Sequence, residues 1–179
     1  MRRIALSIAI HMAGFLLVSA LLLVAVVGRE GTLRLVLGDP DLGRVDFETL
    51  TRPDPAADAL VCPPALCRAA RPDRAAPVFA VPARDLARAL KRVAEADPLT
   101  RRIAGDAGLG EERYLSRTLI FRFPDTIVVR YIQITQEHST LALSSRSQIG
   151  GTDPDRNRSR LMRWIDRLSS EIPLRRDES

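Results

Sequence analysis

The sequence is short of aromatic side chains, has one lysine, two histidines and two cysteines, and each scarcity removes a possibility. With 4% aromatic residues, the core has to be built from Leu, Ile, Val and Ala. Lys91 is the only lysine among 27 basic residues, so the positive charge is almost all guanidinium. Arginine does not deprotonate, and this sets the high isoelectric point without implying a strongly basic surface. The formal net charge of +5 is too mild for a nucleic-acid partner, which needs basic charge gathered on one face. His11 falls in an apolar run, which leaves His138 to carry any Ser-His or Cys-His scheme. It stands in a polar turn beside Glu137 and reads as a solvated side chain. Cys62 and Cys67 have no histidine near them, and two ligands do not make a structural zinc site. No catalytic residue, metal-ligand set or cofactor is assigned.

What is present begins with a long apolar run. Ile4 to Val27 is interrupted only by Ser7, His11, Gly14 and Ser19. At about 1.5 Å per residue it is long enough to span a bilayer core of about 30 Å. Arg2 and Arg3 precede it and no acid does, which favours a cytoplasmic N-terminus and an exported remainder. A cleaved signal peptide is the other reading. The run is longer than the usual apolar region of a signal, and no cysteine closes it as a lipoprotein site. A retained anchor over residues 1–28 is therefore expected, placing the protein in the inner membrane through residues 4–27, single-pass, with its C-terminal domain periplasmic.

Residues 29–76 read as a linker. Pro and Asp recur in Asp39-Pro40-Asp41, Arg52-Pro53-Asp54-Pro55, Cys62-Pro63-Pro64 and Arg71-Pro72-Asp73, which suggests little regular structure. Val45 to Leu50 alternates and reads as an extended segment lying on the domain. In an exported chain, two cysteines this close are expected to form a disulfide, Cys62–Cys67.

The domain is expected over residues 77–172, with a polar tail over 173–179. Its fold class is α+β, a small antiparallel sheet packed by two helices. Pro77 to Pro82 reads as a short edge strand, and Ala83 to Ala96 as a helix burying Leu86, Ala89, Leu90 and Val93. Thr100–Ala104, Arg113–Phe123, Ile127–Thr135 and Ser139–Ser147 read as strands, with Pro124-Asp125-Thr126 and Gln136-Glu137-His138 as turns. Connections this short require antiparallel pairing. Leu161, Trp164, Ile165 and Leu168 make one stripe of a last helix, with Asp153 as N-cap and Pro154 as its first residue.

The polar stretch Ser144 to Arg160 is the candidate site. Arg146, Ser147, Gly150, Asp153, Asn157 and Arg158 gather a strand end, a Gly-Gly turn and a helix start, with Arg160 one turn further on. Backbone N–H groups at a helix start, with guanidiniums around them, suit an anion. The internal alternative has Asp153 pairing with Arg146 or Arg158 and Asn157 bonding the loop, so that the corner merely joins a strand to a helix.

The run Arg146-Ser147-Gln148-Ile149-Gly150, then Asp153, then Asn157-Arg158-Ser159-Arg160, resembles the C-terminal signature of a bacterial and plastid family, domain of unknown function (DUF) family 1499. That signature reads approximately R-S-x-S-R-x-G-x-x-D-x-G-x-N-R-x-R. Asp46-Phe47 and Leu60-Val61-Cys62-Pro63 with Cys67 resemble its membrane-anchored bacterial members. Gln148 and Ile149 occupy the S-R stretch here, and Asp155-Arg156 stands where a Gly is usual. The resemblance implies an envelope location and no reaction. Three functional classes follow. The first is a non-enzymatic domain binding an anionic lipid or an acidic protein partner. The second is a structural or assembly partner of a membrane complex. The third is a Ser-dependent hydrolase, for which base, elbow motif and metal ligands are all lacking.

Overall fold

In the computed structural model, residues 2–52, 58–106, 110–149 and 154–175 are described. Two compact units are present, Met1–Asp39 with Ile120–Arg122, and Pro40–Leu119 with Phe123–Ser179.

The first unit is dominated by α1 (Arg2–Leu37). It is long and apolar enough to cross a membrane, and its residues from Arg3 to Arg29 are exposed along their whole length. Gly28 interrupts it with φ 77° and ψ 165°, a conformation that glycine adopts freely. The break falls where the apolar run ends and Arg29 and Glu30 begin.

The second unit is α+β. Its elements are β1 (Asp58–Cys62), β2 (Arg74–Ala75), α2 (Ala83–Glu95), β3 (Thr100–Asp106), β4 (Glu111–Arg117), β5 (Pro124–Gln133), β6 (Ser139–Ser147) and α3 (Pro154–Glu171). The six strands form one sheet in the order β2-β1-β6-β5-β4-β3. All pairs are antiparallel except β1 with β2. β5 and β6 pair from Asp125↔Ser147 to Gln133↔Ser139, so the β5–β6 turn and the Asp125–Ser147 corner lie at opposite ends of the hairpin.

Period-two alternation divides the sheet into two buried faces. Ala59, Val61, Tyr114, Ile127, Val129, Leu141 and Leu143 face α2 and α3, where they meet Leu86, Leu90, Leu161, Trp164 and Ile165. Tyr114 and Trp164 meet edge to face, with ring centroids 5.8 Å apart. The opposite face carries Leu60, Cys62, Val128 and Ala142, packed with Val45, Phe47, Cys67 and Ala70.

The reading of residues 29–76 as a linker is therefore corrected: from Pro40 onward this stretch belongs to the domain. It supplies β1 and β2, and it covers the second face of the sheet. An open face bearing Leu60, Val128 and Ala142 needs a cover, and Phe47, fully buried, provides it. The prolines at 63, 64 and 72 bound β1 and β2 and leave them in the sheet. Cys62 and Cys67 are joined, with Cα atoms 6.2 Å apart, and both lie inside this second cluster.

Two further expectations shift. Pro77 to Pro82 gives only single bridges, Phe79 to Ser139 and Phe79 to Leu174, because prolines at both ends withhold ladder donors. Pro124-Asp125-Thr126 opens β5 and makes no turn. The chain turns at 118–123, where Phe123 N donates to Thr118 Oγ1 at 2.9 Å and Arg122 has φ 61°.

Candidate functional site

The candidate corner is centred on a residue outside the expected set, Asp125. Odd-numbered residues of β5 point towards α3, so Asp125 continues the row of Ile127 and Val129 and is fully buried. α3 returns two arginines to it. Arg156 donates Nε to Oδ2 at 3.1 Å and Nη2 to Oδ1 at 2.9 Å. Arg160 donates Nη2 to Oδ2 at 2.9 Å. Ser147 Oγ donates to Oδ1 at 2.7 Å. Asn157 knits the rest: its Nδ2 donates to Ser147 Oγ at 2.9 Å, and its Oδ1 accepts from Ser145 Oγ and Arg160 Nη1, both at 2.7 Å. Burial lowers the pKa of Arg160, and the Asp125 carboxylate opposes that shift. One carboxylate thus holds two guanidiniums in charge-assisted hydrogen bonds, and β5, β6 and α3 are locked together by them.

The four expected site residues that are described, Arg146, Ser147, Asn157 and Arg158, do not converge. Ser147 and Asn157 are in this network. Arg146, one position before Ser147 on β6, points to the opposite face, where its Nη2 donates to Leu42 O at 3.2 Å. Arg158 is exposed on α3, while Asn157 and Arg160, three residues apart, turn inward. Gly150 and Asp153 lie outside the described residues. The expected internal pairing through Asp153 thus has a described counterpart through Asp125, contributed by a different strand.

Other polar clusters brace the sheet. On the far face Glu111, nearly buried, accepts from Arg44 at 3.0 Å and Arg130 at 2.9 Å, and the Arg130 guanidinium lies 5.7 Å from the Phe47 ring centroid. Arg113 makes a forked pair with Asp41. On the helix face Glu112 accepts from both tyrosine hydroxyls, Tyr114 and Tyr131, at 2.8 Å each, and pairs with Arg102 at 2.9 Å. A cleft of about 390 Å³ beside it is lined by Arg84, Ala87, Arg102, Gly110, Glu112 and Tyr131 among others. Burial, and then the Glu112 carboxylate, push the Tyr114 phenol far above its ordinary value. Burial, Tyr114 and Glu112 do the same to Tyr131. Both phenols stay neutral and donate to Glu112, so the cluster offers no phenolate.

A pH prediction follows. A raised phenol pKa contributes stability that is fully present below the ordinary value of 10.0 and is lost as pH rises through the folded value. The chain has only these two tyrosines. Phenolate absorbance is expected to stay absent at pH 11 while the fold persists, and to rise together with alkaline unfolding. A rise centred near pH 10 in folded protein would contradict the buried placement.

His138 shares the β5–β6 turn with Thr135, whose Oγ1 lies 3.0 Å from its Nδ1. At about 3.4 Å per strand residue, Ser147 is roughly 30 Å away along β6. Ser144, Ser145 and Ser147 are therefore out of reach of His138. Among the described residues there is no group of three or more His, Cys, Asp or Glu placed to hold a metal ion.

No curated protein and no solved structure matches the chain. A family model does, over residues 53–168, which takes in β1 through nearly all of α3 and the whole Asp125 network. The chain belongs to the family described as "Protein of unknown function (DUF1499)".

Proposed function

We propose that this is a single-pass inner-membrane protein whose α+β domain stands on the periplasmic side of the cell envelope and acts there without catalysis, as a structural or assembly partner of other membrane proteins. The observation that carries this reading is the closure of the corner on itself. Asp125 uses both its oxygens on Arg156, Arg160 and Ser147, which favours a latch over a ligand site. Location rests on the apolar α1 with Arg2 and Arg3 ahead of it. Alkaline phosphatase fused after Ser179 is expected to be active in cells, and N-terminal sequencing of the mature protein is expected to begin before residue 20. An inactive fusion would overturn the orientation, and a later N-terminus would overturn the anchor.

A second reading keeps an anion for the corner. Arg146 Nε has no hydrogen-bond partner among the described residues although the atom is buried. Under this reading phosphate raises the unfolding midpoint of the detergent-extracted protein above that in chloride of equal ionic strength. Arg146→Gln removes the rise and leaves the fold intact. Under the latch reading phosphate has no specific effect, and Arg146→Gln lowers the midpoint by freeing Leu42 O from its partner.

A further inference from the structure

We propose that the tip of the β4–β5 turn, Ile120-Phe121, lies in the lipid headgroup–acyl boundary beside α1, giving the chain a second point of attachment to the bilayer. The proposal rests on α1 being a membrane anchor. Leu119, Ile120 and Phe121 are 75%, 68% and 64% exposed, the highest values for large apolar side chains outside α1 among the described residues. Three consecutive exposed apolar residues at a turn are unfavourable in water and are not needed to pair the strands. Their position explains them. Ile120–Arg122 form one compact unit with α1, and polar groups make the connection. Arg29 Nη1 donates to Ile120 O at 3.2 Å. Arg122 donates Nε at 3.1 Å and Nη2 at 2.6 Å to Glu30 Oε1. Arg122, the residue that pairs with Glu30, holds φ 61°, uncommon for a side chain of its size.

Arg29 and Glu30 are the first charges after the apolar run, immediately past the break at Gly28. In an anchored chain this is where the hydrocarbon gives way to headgroups. Tying the turn to these two residues fixes Ile120 and Phe121 at that depth. The same unit carries Leu35 and Val36, 68% and 73% exposed. Apolar side chains flanked by guanidiniums fit a lipid interface, where apolar area is buried and basic groups meet lipid phosphates.

The test uses the full-length chain, whose two cysteines are joined to each other, so that an introduced cysteine can be labelled alone. Phe121→Cys, Leu16→Cys in the apolar run and Glu137→Cys at the far end of β5 each receive an environment-sensitive fluorophore. The proteins are reconstituted into phosphatidylethanolamine–phosphatidylglycerol vesicles carrying nitroxides either near the headgroup or deep in the acyl chain. The label at 121 is expected to be blue-shifted relative to that at 137 and quenched mainly by the shallow nitroxide, with 16 quenched by the deep one and 137 by neither. If 16 is quenched and 121 behaves like 137, the proposal is overturned and the anchor stands. If 16 is not quenched by the deep nitroxide, the anchor reading fails and the proposal with it.

Discussion

Replacing Asp125 with alanine is expected to cost about 3–5 kcal/mol of folding free energy, the range for breaking a buried ion pair from one side. Asp125 is fully buried, and the Arg160 side chain is only 5% exposed. Without the carboxylate, Arg160 keeps a buried charge that has lost its ion-pair partner, and Arg156 and Ser147 lose their shared acceptor. Asp125→Asn keeps the shape but still strands the charge, so it should recover only part of the loss. Against a total stability of about 5–15 kcal/mol, either change is large. Denaturant unfolding of the full-length protein in mild detergent, followed by Trp164 fluorescence, measures it. A midpoint unchanged in Asp125→Ala would mean that the corner does not bear on the fold.

Phe47→Ala is expected to cost about 3–5 kcal/mol, as for other fully buried phenylalanines. Phe47 fills the second face of the sheet with Leu60, Val128 and Ala142, beneath the Arg130 guanidinium. Neither α2 nor α3 can close the gap, because both are on the other face. The same unfolding measurement applies. A loss under about 0.5 kcal/mol, ordinary for surface positions, would return residues 40–50 to the status of a linker.

Much of the fold is readable from local pattern. The stripe Leu86, Ala89, Leu90, Val93 marks α2, and β6 spans the residues expected of it, Ser139–Ser147. α3 opens at Pro154, the helical position where proline loses least. The misread segments are those decided at long range. Pro124-Asp125-Thr126 has turn-forming composition, yet it is strand because Arg156 and Arg160, far along the chain, neutralise Asp125. Leu119-Ile120-Phe121 has strand composition, yet it is the turn, and Ile120 and Phe121 fall in the compact unit that contains α1. β1 is hidden by the prolines around it, and its membership of the sheet depends on pairing with β6 more than 80 residues later. In the candidate site, Asn157, Ser147 and Arg160 were visible as a polar cluster. That Arg146 faces away from Ser147 follows from strand parity, which applies only once the strand is known to run through both.

The most direct test of the corner as a closed latch is a double-mutant cycle between Asp125 and Arg160, using Asp125→Asn, Arg160→Met and the pair together. Midpoints are read by denaturant unfolding of the full-length protein in mild detergent. The latch predicts that the double variant loses little more than the worse single one, with a coupling of at least about 1.5 kcal/mol. Additive losses, with coupling near zero, would contradict it, because Asp125 and Arg160 would then contribute to stability independently.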